Sequence, residues 1–270
     1  VIAEEFSHEG SLDSIAVLHG GLAGPDSTFL PQEGARSVVL STGHAGSFLK
    51  PREQLNDEEL CTSGDTLCPS HDHLRSTDSF LPPVNPTPVG EETCQQNPSL
   101  IGQGDCSNTI EDQWALGGSD FVFDYTQLQL VVQVPPLVDA LVFDYAFFTA
   151  EYPTRYRDGF NDMFLVWAET ESWTGNVALD YESRPVTASA TRFDYRDSVV
   201  PDDCPEPCVA EELHETSMRG HAATNWRSTE IELSPGEEVT LIFGLFDVGD
   251  GLTDSAVLLD NVRWNCAIPE

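Results

Sequence analysis

Residues 141–167 read LVFDYAFFTAEYPTRYRDGFNDMFLVW, and they decide the fold. Two runs, 141–148 and 163–167, are apolar at nearly every position. Acidic and amide side chains crowd the turn between them. A second stretch, residues 239–264, VTLIFGLFDVGDGLTDSAVLLDNVRW, has the same form. A short run apolar on both faces belongs at the centre of a sheet or between layers. The two stretches therefore predict facing parts of one β-sandwich, each stretch a hairpin.

Working outward, residues 121–125 (FVFDY) and 128–134 (LQLVVQV) supply two more strands. Residues 14–19 (SIAVLH), 35–42 (ARSVVLST), 176–180, 191–195 and 229–233 continue the series. Ser-Pro-Gly at 234–236 reads as a hairpin turn. Ser41 lacks the G-x-S-x-G setting of a hydrolase nucleophile and reads as structural. Short strands, frequent turn signals and few helices make the fold class all-β, a sandwich or jelly roll of antiparallel strands. A chain of 270 residues is long enough for one such domain, 1–270, with a sizeable core. Loop excursions at 51–119 and 197–227 interrupt it. The first is rich in Pro, Ser, Thr and Asn, with a short helix expected over 54–60. The second holds a C-P-E-P-C turn and a short helix over 209–216.

The seven cysteines lie outside the most apolar runs, in locally close pairs. Disulfides Cys61–Cys68, Cys94–Cys106 and Cys204–Cys208 follow, stapling the excursions in an oxidising compartment. Cys266 is left over and is expected to be buried. A zinc site from Cys61, Cys68, His71 and His73 has the right ligand types, but its spacing matches no strong zinc pattern. A start at Val1 rather than Met is read as removal of an export signal or as numbering that starts late; with the disulfides, the expected location is outside the cell or on its surface. No run approaches the roughly 20 apolar residues of a membrane span, so membrane insertion is not expected.

The formal charge is −34, with Lys50 the only lysine. Nucleic acid and anionic membranes would be repelled. Bound cations, a saline habitat or a solubilising surface all fit such a charge.

The acidic turns carry the candidate site. Glu151 follows one strand, while Asn161 and Asp162 immediately precede the next. Asp247 closes a strand, Asp250 and Asp254 sit in the Gly-rich turn, and Asp260 lies within the following strand. By alternation Asp260 shares a face with Ala256 and Leu258 and points inward, where a cation or backbone donors must balance it. Carboxylates mixed with amide oxygens, and no His or Cys among them, fit calcium with its six to eight oxygen ligands. The plainer alternative is that some of these residues only make turns, Gly249-Asp250-Gly251 among them.

FFTAEYP and FNDMFLVW, then FDVGDGLTDSAVLLDNVRW downstream, with VVLSTG at residues 38–43, resemble the choice-of-anchor L family. The likeness spans most of the chain. It implies an exported bacterial β-sandwich tied to a surface anchor or sorting tail. This chain departs in its long cysteine-bearing excursions, and no sorting tail follows Trp264 before NCAIPE.

Three functions are weighed. The first is a structural or adhesive surface protein, self-associating or bound to a surface polymer or glycan. It includes a filament subunit whose N-terminal segment adds a strand to a neighbour; the alternative is that this segment folds on its own body. The second is a carbohydrate-binding module in which Tyr152, Tyr156, Trp173 and Trp226 stack on sugar rings; they suit the core edge equally. The third is a glycoside hydrolase using carboxylates from Glu151, Asp158 and Asp162. No nucleophile–base arrangement stands out, so no catalysis is expected.

Overall fold

The computed structural model describes residues 2–8, 13–22, 24–55, 83–115, 122–156, 159–198, 208–249, 251 and 253–266. Among these, the strands form two antiparallel sheets. The first, six-stranded, runs β1 (Ala3–His8), β4 (Val122–Gln133), β12 (Glu238–Val248), β6 (Met163–Glu169) and β7 (Thr174–Asn176), with β8 (Val186–Thr187) also on β6. The second, seven-stranded, runs β2 (Ile15–His19), β3 (Arg36–Ser41), β13 (Ser255–Cys266), β5 (Val138–Thr149), β10 (Ala222–Ala223) and β9 (Tyr195–Arg196), with β11 (Arg227–Glu232) also on β5. The all-β sandwich expected from the sequence is what the chain forms.

The connections differ from the expectation. β5 and β6 belong to different sheets, and so do β12 and β13. Each quoted stretch arches across the sandwich instead of closing a hairpin. The Ser234–Gly236 turn also changes sheets, because β11 pairs with β5 while β12 pairs with β4 and β6. Alternation predicts which face a residue takes, but not which sheet its strand joins. Two sheets about 10 Å apart can be bridged by a few extended residues at about 3.3 Å each, so even a short connection can change sheets.

The main core lies between the sheets, built from Phe143, Tyr145 and Phe147 of β5, Phe164 and Val166 of β6, Leu241, Phe243 and Leu245 of β12, and Val257 and Leu259 of β13. Both outer faces are covered as well. Phe29, Phe48 and Leu213 pack with Phe148 and Leu258 on the second sheet. Val84, Ile110 and Trp114 pack with Met163, Leu165, Trp167 and Phe246 on the first. This double cover is why the central strands read as continuous apolar runs.

The excursions supply much of that cover, with Phe29 and Phe48 added from the segments either side of β3. Cys94 and Cys106 are bonded and buried. Beside them Asp105, sealed from solvent, accepts from the backbone N–H of Ser107, Thr109, Ile110 and Asn176, at 3.0–3.2 Å. These bonds dock the disulfide loop and the following helix (Ile110–Ala115) against β7. The second excursion contributes a 3-10 turn, Glu211–Leu213, where a short helix was expected. Cys208 is disulfide-bonded. Cys61, Cys68, His71, His73, Cys204, most of the helix expected over 54–60 and the side chain of Cys266 lie outside what the structure describes.

Three further expectations are corrected. Residues 122–133 are one strand, not two. Residues 177–180 leave the sheet because Asp180 closes a turn, accepting from the backbone N–H of Glu182 and Arg184. The N-terminal segment folds on its own body, since β1 pairs with β4 in register from Ala3↔Val131 to His8↔Thr126. Among the described residues no helix is long and apolar enough to cross a membrane.

Candidate metal centre

Each central strand carries inward-facing residues at every second position. At one end of the sandwich these rows stop being apolar. On β5 the row Tyr145, Phe147, Thr149 leads to Glu151. On β12 the row Phe243, Leu245 leads to Asp247. On β6 the row through Phe164 begins at Asp162. Asp254 directly precedes Ser255, the first residue of β13. On β4 the row Leu130, Leu128, Thr126 leads to Asp124. Crossing arches, rather than hairpins, bring these ends together from both sheets.

Asp124 was not among the residues singled out from sequence. Its φ is +50°, in the left-handed region that few residues other than glycine adopt. The pairing of β12 with β4 shifts at this point, from Leu245↔Thr126 to Asp247↔Phe123. The extra residue on β4 makes a β-bulge, which re-aims a side chain where a regular strand would not. A lone Asp inside the apolar run FVFDY was its signal, the same signal that drew attention to Asp260.

The layer is buried. Asp162 and Asp247 are fully sealed, and Glu151 and Asp124 nearly so. Asp254 is half-buried as a residue, yet its Oδ2 is shut off from solvent. The Thr253 hydroxyl donates to Glu151 Oε1. Ser255 Oγ donates to Asp162 Oδ2 at 2.5 Å. Neither oxygen of Asp247 accepts a hydrogen bond. The nearby Thr42 hydroxyl is engaged with the backbone of Ser255, accepting from its N–H at 3.0 Å.

Burial, then the charges of Asp162, Asp124 and Asp254, push the Asp247 carboxyl well above its ordinary range; the Thr42 hydroxyl opposes this. Burial, then Asp124 and Glu151, do the same to Asp254. Five carboxylates thus share one low-dielectric end, where like charges disfavour joint ionisation.

Gly43, which ends VVLSTG, fits against this layer. A Cβ built there would lie 1.9 Å from Asp254 Oδ2. Only a glycine lets the β3 end approach that carboxylate.

Of the residues expected from sequence, the structure brings Glu151, Asp162, Asp247 and Asp254 together. Asp250 lies outside the described residues. Asn161 takes the opposite face from its neighbour Asp162. Its Nδ2 donates to the Gln113 carbonyl at 2.9 Å and its Oδ1 accepts from Ser189 N–H at 2.9 Å, so it braces the helix. Asp260 stands apart, paired with Asp144 across β13 and β5, while Ser255 pairs with Thr149 at the layer. It lies on the outer face with Ala256 and Leu258, and is only partly buried. Its Oδ2 accepts from Gln32 N–H at 2.6 Å and Glu33 N–H at 3.2 Å, so backbone donors balance it.

The side chains of the layer offer oxygen alone, with both Asp247 oxygens buried and unpartnered, a chemistry that suits a hard cation. Among the described residues no three His, Cys, Asp or Glu side chains converge on one metal position. The carboxylates form a layer rather than a closed cage.

The aromatic candidates divide by burial. Tyr152 is fully sealed, edge-on to Tyr156 and near Phe193. Tyr156 and Trp173 pack against the main core, and Trp226 against the cluster on the second sheet.

Comparison with curated proteins returns no match. Among solved structures, a β-glucosidase from Kluyveromyces marxianus is similar over 53% of this chain and 11% of its own, at 11% identity and a TM-score of 0.22. So slight a likeness carries no argument about fold or activity. The family model for the choice-of-anchor L domain matches residues 74–264, from within the first excursion to Trp264 in β13. The chain belongs to the choice-of-anchor L family, a setting of bacterial export and surface association.

Proposed function

We propose that this is a structural or adhesive surface domain whose loop end is locked by calcium. The observation that carries the reading is Asp247, fully buried with neither carboxylate oxygen hydrogen-bonded, at the centre of a layer fed by both sheets. A cation there converts mutual repulsion into a cross-link between the β5–β6 and β12–β13 arches. Self-association or attachment to a surface polymer or glycan is the task that suits such a braced end. The family setting and the disulfides support an exported location.

Glycoside hydrolysis is less well supported. Glu151 and Asp162 are sealed from solvent, so a sugar cannot reach between them. Tyr152 is likewise closed to a sugar ring, which leaves a carbohydrate-binding module only the half-buried Tyr156, Trp173 and Trp226.

The test is thermal unfolding in excess chelator against a calcium series. Ion that binds only the folded state stabilises by about 2.7 kcal/mol at a hundredfold excess over its dissociation constant. The melting temperature is expected to climb with calcium and less with magnesium. A melt indifferent to chelator and to both ions would return these residues to turn-forming and structural roles.

A further inference from the structure

Of the five layer carboxylates, only Asp254 keeps appreciable contact with solvent. Asp162 and Asp247 are fully sealed, Glu151 is 1% exposed and Asp124 4%, whereas Asp254 is half-buried. The open side of the layer is therefore at Asp254. Its Oδ2 is nonetheless buried and accepts no hydrogen bond.

A small cavity adjoins this carboxylate, between the end of β3, the short helix Ala45–Phe48 and the turn at Ser217. Its volume is about 10 Å³, close to the least that holds one water. The buried hydroxyls of Ser41, Ser47 and Ser217 line it together with Asp254. Ser217 Oγ donates to the Phe48 carbonyl at 3.0 Å, and Ser41 Oγ accepts from Gly43 N–H at 3.1 Å. These bonds fix the two hydroxyls and leave each an oxygen lone pair to offer. His44 lines the cavity with a side chain 44% exposed, so it stands at the outer end. The carboxylate of Asp13, 81% exposed, lies 3.8 Å from its Nδ1 and puts negative charge at the mouth.

A hydrated cation is too large for this space. An ion that enters must shed most of its water, and hydroxyl oxygens can stand in for what is lost. Calcium accepts such mixed oxygen shells, whereas magnesium dehydrates reluctantly. We infer that this cavity is the route by which the cation of the layer enters and leaves, a hydroxyl-lined antechamber between the surface at Asp13 and His44 and the carboxylate of Asp254. The route rests on the calcium reading and adds to it how the ion arrives. The charge of −34 draws cations to the whole surface, but the one open layer carboxylate and the cavity against it select the place of entry.

Stopped-flow uptake and release of calcium by the whole chain, followed with a fluorescent chelator, tests it beside the affinity from isothermal titration. Ser47→Val replaces a hydroxyl by methyl groups and fills the cavity. It is expected to slow uptake and release alike, by about tenfold or more, the effect of one added barrier on both directions. The affinity should stay near that of the parent, because a route changes both rates equally while a ligand changes their ratio. His44→Ala clears the outer end and is expected to speed both rates. The His44 side chain caps no helix N–H, so this variant should fold as the parent does. Should Ser47→Val fail to fold, His44→Ala decides alone. Rates that neither variant moves overturn the route, and so does a change confined to release. A parent that binds no calcium overturns the calcium reading and the route together, whereas binding with unmoved rates overturns the route only.

Discussion

Asp247 concentrates the physical tension of this protein in one side chain. A carboxylate without hydrogen bonds in a dry layer is costly when ionised, and its neighbours are acids. Its folded pKa lies above the ordinary 3.8, so the folded state holds its proton more tightly than the unfolded chain. The sign of the pH dependence follows. The native state is favoured at low pH, and this contribution is lost as pH rises from the ordinary value through the raised one. In chelator, the parent should therefore lose melting temperature relative to Asp247→Asn as pH climbs from about 4 towards neutrality. With calcium the order should reverse, because the ion binds the ionised form that Asn cannot offer. Melts of both proteins across pH, with and without calcium, check this. Parallel curves in all conditions would remove Asp247 from the site.

Elements rather than residues decide where the carboxylates meet. The bulge on β4 turns Asp124 into the layer, and Gly43 at the end of β3 leaves room for Asp254. Gly43→Ala forces a methyl group into that carboxylate and should cost about 1–3 kcal/mol, as overpacking does. It should weaken calcium binding as well, measured by isothermal titration. Elsewhere Asp105 holds the first excursion in place. Asp105→Ala strands four backbone N–H groups and should cost on the order of 3 kcal/mol in chemical denaturation. Its calcium affinity should stay unchanged, because Asp105 serves β7 and the disulfide loop and not the layer.

At the scale of the whole molecule the charge of −34 opposes compactness, and salt relieves it. Melting temperature in chelator should rise steadily from about 0.01 M to about 1 M sodium chloride as the Debye length falls from about 30 Å to about 3 Å. A flat profile would mean that the surface carboxylates are already neutralised. Much of this architecture was legible in the amino-acid order. Apolar runs at 141–148, 163–167 and 239–247 gave strands of the right kind, Cys94 and Cys106 paired as their closeness suggested, and Glu151, Asp162, Asp247 and Asp254 stood out at strand ends. Period-two alternation and strand-end position are local properties, and the chain carries them without knowing its fold. Partnership is not local. Whether residues 141–167 close a hairpin or arch between sheets depends on which neighbours each strand finds, and those lie as far away as β11, β12 and β13. For that reason Asp260, which sequence grouped with the acidic turn, went to the backbone of the Gln32–Glu33 loop. Asp124, which sequence passed over, was carried into the layer by a bulge that only its pairing with β12 creates.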